Sequence, residues 1–207
     1  FLRLTNKNLP MRHRKKRTNK RVRVLRPPRG ESIERRPKEI TERRTFGHWE
    51  MDCVIGRKMK STLLVLTERL TRQEIILPIP AQKAEFVVKS LDLLEKRFGK
   101  TRFPTIFQTI TVDNGSEFAD CAGLEKSHYG NQQRTKIYYC HPYCSSERGT
   151  NERLNREIRR IFPKGTDFRN VSRKQIQACE DWINSYPRAV LDYATSKELF
   201  EKHVSAL

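Results

Sequence analysis

The sequence has no run of about eighteen apolar residues, the length that a membrane-spanning helix requires. Its first residues, Phe1-Leu2-Arg3, do not begin a signal peptide, and a chain that starts at Phe1 is expected to be a fragment of a longer protein. The five cysteines are an odd, scattered set that fits no disulfide framework. No glycine-rich phosphate-binding loop is present, so ATP dependence is not indicated. These absences favour a protein that works inside the cell, without a membrane.

Acidic residues are also scarce: 24 Asp and Glu stand against 43 Lys and Arg, a formal charge of +19. Residues 1–46 hold 17 basic and 4 acidic residues, a net +13, and the segment cannot bury a core. We predict that 1–46 is a basic, poorly structured arm that contacts DNA phosphates, with 47–207 as the folded domain. A solvated linker or a segment of the nuclear-localisation type is the alternative for such a basic run. The basic residues proposed for DNA contact here are Arg14, Lys15, Lys16 and Arg17.

The pattern from Phe46 onward is that of an α/β domain. Strand-type runs and helical periodicity alternate along this part of the chain, and no internal repeat is present. The predicted strands are 49–55, 61–67, 73–77, 107–112 and 136–140; the predicted helices are 81–98, a short one from residue 116, 151–162 and 172–186. This order predicts a mixed five-stranded sheet with helices on both faces.

Two aspartates occupy notable places on the predicted strands. Asp52 lies inside an otherwise apolar strand, where an uncompensated carboxylate is expensive to desolvate. Asp113 follows a second buried run, at the carboxyl end where open α/β sheets commonly bind ligands. If the two strands are neighbours, the carboxylates converge. An ordinary turn is the alternative for Asp113, because it precedes Asn114 and Gly115.

A third acid comes from the geometry of the helix 151–162. Its apolar stripe, expected to face the core, is Leu154, Ile158 and Ile161. Glu152 lies on the other side, grouped with Asn155, Arg156 and Arg159. An ordinary ion pair between Glu152 and Arg156, one turn apart, is the alternative for this acid.

Several motifs together resemble the transposases of the bacterial IS-thirty insertion-sequence family. They are GHWEMD at 47–52, TVDNGSEF at 111–118, RGTNERLN at 148–155, FPKGTD at 162–167 and NSYPR at 184–188. The resemblance covers about residues 33–203 and, more widely, is similar to the retroviral-integrase-like catalytic core with its RNase H-like fold. Met51, Asp192 and Ser196 stand where the family usually has Gly, Gly and Pro. The family's helix-turn-helix regions ahead of the core have no counterpart in 1–46.

The resemblance implies that Asp52, Asp113 and Glu152 are the catalytic, metal-binding triad of a DDE transposase. It implies two Mg²⁺ or Mn²⁺ ions, cleavage at the ends of a mobile element and attack of the freed 3′-hydroxyl on target DNA. It further implies DNA partners, namely the terminal inverted repeats and the target, a homodimer or higher oligomer, and a bacterial cytoplasmic, nucleoid-associated location. A catalytically idle DNA-binding relative and an RNase H-like nuclease without strand transfer are the alternatives.

Further residues are candidates for DNA or metal contact. Asn155, Arg156, Arg159, Arg148 and Lys164 are predicted to grip phosphates beside the reacting bond, with plain surface charge as the alternative. Trp49 and His48 are expected to pack beneath the site, with Trp49 in the core. A zinc site is a separate alternative, although its spacing fits no usual paired arrangement. Its ligands would be His128, Cys140, His141 and Cys144.

Overall fold

A computed structural model describes residues 29–57, 61–141, 144, 147 and 149–207, without the side chains of residues 149, 150 and 152. The predicted DNA contacts Arg14, Lys15, Lys16, Arg17 and Arg148 lie outside the described residues. In the part of the chain that is described, no helix is long and apolar enough to cross a membrane.

The described strands form one mixed sheet of six strands. They are β1 (Glu31–Ser32), β2 (His48–Ile55), β3 (Thr62–Glu68), β4 (Glu74–Ile79), β5 (Thr109–Val112) and β6 (Lys136–Tyr139). The spatial order is β1-β6-β5-β2-β3-β4. β2, β3 and β4 form an antiparallel meander, whereas β5 is parallel to β2 and β6, and β1 is parallel to β6. Every residue of β3 is buried, as expected for a central strand covered on both faces.

Helices cover both faces of the sheet. They are α1 (Lys38–Thr41), α2 (Ala84–Phe98), α3 (Phe103–Ile106), α4 (Cys121–Glu125), α5 (Gly149–Ile161), α6 (Arg173–Asn184) and α7 (Ser196–Ser205). One core combines Trp49, Leu66 and Ile110 of the sheet with α2, α3, α4 and α7. The other combines Val54 and Val65 with α5 and α6. The sheet is therefore the middle layer of three.

Trp49 shows why the first core is well defined. Its side chain is fully buried, and its indole Nε1 donates a hydrogen bond to the Ile106 carbonyl oxygen at 2.7 Å. Its ring stacks on Phe107, with centroids 4.5 Å apart. Trp49 is therefore a core residue, as predicted, and its polar N–H is satisfied inside the core.

The predicted α/β class and the helices on both faces are confirmed. In the described residues the sheet has six strands rather than the predicted five, because Glu31 and Ser32 extend it as a short edge strand beside β6. The stripe predicted for α5 is wrong at one position: Ile161 is 41% exposed, and Phe162, at 7%, packs in the core instead. The helix ends at Ile161, so the chain turns away from the helical register there.

Residues 29–46, part of the predicted arm, contact the domain. Ile40 of α1 is buried, and the Arg69 guanidinium donates to the carbonyl oxygens of Ile40 and Thr41 at 3.2 and 3.3 Å. Arg36 is also buried and donates to Thr111 Oγ1 of β5 at 3.0 Å. This part of the arm is thus ordered by hydrogen bonds from buried arginines. The division into an arm and a domain at residue 46 stays a prediction.

The loop before α7 contains strained backbone. Asp192 has φ of 51° and Tyr193 has φ of 64°, both in the left-handed region that glycine adopts most easily. A glycine at position 192, which the family resemblance implies, would adopt this conformation without strain. Asp is among the residues that tolerate this region best.

Candidate active site

Asp52 and Asp113 lie at the same end of neighbouring parallel strands. Glu50 of β2 pairs with Thr111 of β5, so two residues further along each strand bring Asp52 beside Asp113. Side chains two residues apart on a strand share a face, which here is the face that α5 covers. The predicted convergence of the two aspartates follows from this register.

Asp52 is half-buried and contacts both its own strand and α5. Its Oδ1 accepts a hydrogen bond from the Cys53 backbone N–H at 2.9 Å. Its Oδ2 accepts from the Asn155 side-chain amide, also at 2.9 Å. The bond from Asn155 fixes the position of α5 over the carboxylate, and one turn before Asn155 the same helix carries Glu152.

Asp113 forms the turn after β5 as well as facing the site. Its Oδ1 accepts from the Gly115 N–H at 2.8 Å, the Asx turn that its sequence context predicts. The Asn114 amide donates to the Cys140 carbonyl oxygen at 2.6 Å and so ties this turn to the end of β6. A Cβ on Gly115 would lie 2.8 Å from Asp113 Oδ1, so glycine keeps the carboxylate accessible to its neighbours.

A further carboxylate, Glu117, lies behind this turn. It is buried and accepts a hydrogen bond from the Gln82 side-chain amide. Burial raises the pKa of Glu117, and the negative charges of Asp113 and Asp52 raise it further. The site is therefore a concentration of negative charge in a basic protein.

The third predicted acid, Glu152, belongs to α5, but its side chain lies outside the described part of the chain. Among the side chains that are described, no three His, Cys, Asp or Glu form a group that could hold a metal ion. The assignments of the triad and of its metal ions stay predictions. Asp52 and Asp113 supply carboxylate oxygens of the kind that Mg²⁺ and Mn²⁺ prefer.

The residues predicted to contact DNA divide into two groups. Asn155 donates to Asp52, and the Arg159 guanidinium donates to the Ile55 carbonyl oxygen at 2.7 Å, so both contact the end of β2. Arg159 Nη1 is buried without a hydrogen-bond partner among the described residues. Arg156 and Lys164 are exposed. DNA contact by these residues stays a prediction, and the structure adds internal partners for Asn155 and Arg159.

A buried ion pair beneath the site was missed by sequence reasoning. Glu50, fully buried, is paired with the Arg69 guanidinium, whose side chain is 3% exposed. The other Glu50 oxygen accepts from the Asn151 backbone N–H at 3.2 Å, the residue before Glu152. Glu50 shares a strand face with Asp52, and this two-residue alternation was the signal that could have identified it.

The proposed zinc ligands have other partners. The two ring nitrogens of His141 lie 2.7 Å from Glu147 Oε1 and 3.0 Å from Glu34 Oε1. His128 Nδ1 lies 3.9 Å from Asp92. Both imidazoles are thus directed at carboxylates rather than at Cys140 or Cys144. These contacts favour interaction of the two histidines with carboxylates over zinc ligation.

The pKa of His48 is affected by burial and by the arginines near the site, and it makes the stability of the protein depend on pH. Burial, with Arg69 and Arg36 nearby, lowers the pKa of His48 to about 4. Since an unfolded histidine titrates near about 6.5, the unfolded state binds more protons between these values. The His48 contribution to stability is therefore full above pH 6.5 and is lost as the pH falls toward 4.

We expect His48→Asn to remove this dependence. The difference in unfolding free energy between the native protein and the variant should shrink as urea titrations are moved from pH 7 to about pH 4.5. Buried carboxyl groups with a raised pKa, such as Glu68 and Glu180, act in the opposite sense, so the difference between the proteins is the informative quantity. His141→Asn is the control. Because carboxylates raise the pKa of His141, the difference in unfolding free energy between the native protein and this variant should grow as the pH falls. A pH-independent His48 difference would contradict the prediction.

The fold and the site define an α/β protein with aspartates at the carboxyl ends of adjacent parallel strands and a helix fastened over them. No family model matches the chain. It is 34% identical to the "Probable transposase for insertion-like sequence element IS1161" of Streptococcus salivarius over 83% of this chain and 46% of the relative. It is 34% identical to the "Transposase for insertion sequence element IS4351" of Bacteroides fragilis over 84% of this chain and 50% of the relative.

A third relative is the "Transposase InsI for insertion sequence element IS30C" of Escherichia coli, 31% identical over 94% of this chain and 49% of the relative. The chain spans about half the length of these curated relatives. The resemblance that the motifs indicate is confirmed: over most of its length the chain is similar to insertion-sequence transposases, among them one of an IS30 element.

Proposed function

We propose that this chain is the catalytic part of a DNA transposase that cuts the ends of a mobile element and joins them to target DNA. The observation that carries the proposal is the register of β2 and β5, which brings Asp52 and Asp113 to the same end of adjacent strands beneath α5, the helix that bears Glu152. A protein that only binds DNA gains nothing from carboxylates at this place, because they repel phosphates. The sequence relationship to transposases supports the same reaction class.

The proposed roles follow from the contacts around each residue. Asp52, Asp113 and Glu152 would hold divalent metal ions, which would supply Lewis-acid polarisation of the phosphodiester and of the attacking oxygen. Asn155 orients Asp52 through its amide. One carboxylate oxygen of Asp52 accepts from Asn155 of α5, and the other accepts from the backbone of β2. Gly115 leaves space between Asp113 and Glu117. Arg156 and Lys164, which are exposed, would contact the phosphates that flank the reacting bond.

Strand transfer is preferred to simple hydrolysis because the relatives of this chain are transposases. An RNase H-like nuclease would use the same acids and release hydrolysed products. An idle DNA-binding relative would not need two carboxylates beside each other, which repel and cost free energy unless a cation compensates them.

The test is a strand-transfer assay with a DNA end that is supplied already cleaved. A labelled duplex made from DNA flanking the reading frame, with a recessed 3′-hydroxyl end, is incubated with this chain, MgCl₂ and supercoiled plasmid. We expect labelled DNA to become covalently joined to the plasmid, and EDTA to prevent it. Nicked plasmid without joined label would indicate the nuclease, and bound but unchanged DNA would indicate the idle relative.

A further inference from the structure

A large groove lies on the side of α5 away from Asp52. It has a volume of about 940 Å³ and is formed by α5, the end of α6 and the loop before α7. Arg153 and Arg160 contribute to the groove, whereas Asn155 contacts Asp52 from another side of the same helix. Arg153 and Asn155 project about 200° apart around the helix axis. The groove is therefore separate from the candidate active site.

Positive charge dominates the lining of the groove. Among the described residues, five arginines line it against one acid, Glu157; the arginines are Arg43, Arg72, Arg153, Arg160 and Arg188. The Arg160 guanidinium is paired with Glu157, at 2.8 Å. The pKa of Arg72 is lowered to about 10, chiefly by burial and also by the charges of Arg43 and Arg188. Arginines brought together in this way favour an anionic ligand.

Exposed aromatic side chains face the same groove. Trp182 is 44% exposed, Tyr186 57% and Tyr193 76%, although large aromatic side chains are usually buried. The rings of Trp182 and Tyr186 lie 6.0 Å apart at 44°, so each presents part of a face to the solvent. Aromatic faces beside arginines are the features with which proteins bind unpaired nucleic acid strands: bases stack on the rings and phosphates pair with the guanidinium groups.

We propose that this groove binds a single strand of DNA, with bases stacked on Trp182 and Tyr186 and phosphates held by Arg153 and its neighbouring arginines. A duplex would offer its phosphates but not its base faces, which are stacked within the helix. The groove therefore selects unpaired strands. The choice of DNA over RNA rests on the proposed function, whereas the stacking and the charge do not.

Tryptophan fluorescence provides a direct test. The chain has two tryptophans: Trp49 is fully buried, so only Trp182 can report a ligand in the groove. The protein for this measurement is the full chain with Asp52→Asn in EDTA, so that binding is measured apart from catalysis. We expect an oligothymidylate of about 16 nucleotides to quench Trp182 emission, and the same length of duplex to leave it unchanged.

Two variants separate the proposed contacts. Tyr186→Ala should weaken oligothymidylate binding by about 5- to 150-fold, the loss of one stacked base, without changing its salt dependence. Arg153→Gln should lower the slope of log affinity against log salt by about 0.7, the loss of one phosphate contact. Affinities come from anisotropy of a labelled oligonucleotide. Tyr129→Ala and Arg173→Gln, at exposed positions outside the groove, are the matched controls.

The proposal is overturned if the oligonucleotide leaves Trp182 emission unchanged, or if the groove variants bind like their controls. Tighter binding of oligouridylate than of oligothymidylate would reassign the groove to RNA. Self-association that Trp182→Ala abolishes would identify a second copy of the chain as the occupant and overturn it. Because catalysis plays no part in these measurements, a failed strand-transfer assay leaves their outcome interpretable.

Discussion

Asp52→Asn is expected to reduce strand transfer by about 10³-fold or more while the protein stays folded. The change removes one negative charge from the oxygens proposed to hold the metal ions, and an amide binds such ions poorly in place of a carboxylate. The Cys53 N–H can still donate to the oxygen of the new side chain, and a flip of the Asn155 amide would let the Asn155 oxygen accept from the new NH2 group, so both contacts have a replacement. The assay is joining of a labelled duplex to plasmid, with thermal unfolding and DNA binding measured in parallel.

Matched variants make this result specific. Asp113→Asn and Glu152→Gln should have the same effect, and Asp181→Asn, at an exposed position on α6, should have none. Asn155→Ala should lower the rate by a smaller factor, about 10- to 100-fold, because Asn155 orients Asp52 and is not a proposed metal ligand. Joining by Asp52→Asn at more than a tenth of the native rate would remove Asp52 from the triad.

Arg69→Met is expected to produce the largest loss of stability, about 3–5 kcal/mol of unfolding free energy. It leaves the Glu50 carboxylate buried without its cation and removes the donors to the carbonyl oxygens of Ile40 and Thr41. A loss of this size is a large part of the roughly 5–15 kcal/mol that stabilises a typical domain. Urea unfolding followed by circular dichroism measures it.

The double variant Glu50→Gln with Arg69→Met distinguishes the cost of an unpaired buried charge from the cost of lost packing. With both charges of the Glu50–Arg69 pair removed, the double variant should be more stable than Arg69→Met alone. A single variant that unfolds within about 1 kcal/mol of the native protein would show that Glu50 is compensated by other groups. Glu50 also accepts from the N–H of Asn151, the residue before Glu152. We therefore expect loss of the Glu50–Arg69 ion pair to slow strand transfer as well.

Much of the fold follows from local pattern. The alternation and apolar runs of β2 to β6 and the periodicity of α2, α5 and α6 come from burial against a single sheet, which a linear sequence records directly. The edge strand β1 and α1 escaped prediction because their order depends on distant partners. Arg36 bonds to Thr111 and Arg69 to the α1 carbonyls, and long-range contacts of this kind leave no periodicity in the chain.

The candidate site was predictable where its residues break a pattern. Asp52 interrupts an apolar strand, and Asp113 ends another, so both were visible as exceptions. The internal partners of Asn155 and Arg159 were not visible, because helix geometry gives the face of a residue but not the strand it meets. The aromatic groove was missed for a related reason: Trp182 and Tyr193 lie on different elements that only the fold brings together.

The ordering of residues 29–46 fixes where the most basic part of the sequence joins the domain. Gly30 lies so close to Cys121 and Tyr139 that an added Cβ would approach both at 2.7 Å, so the chain passes the β6 edge of the sheet at a defined point. If the basic residues that precede this point bind DNA, as predicted, the bound DNA is attached to the same protein as the carboxylates, and its effective concentration there is raised. Binding of this kind would influence catalysis without any of these basic residues touching the reacting bond.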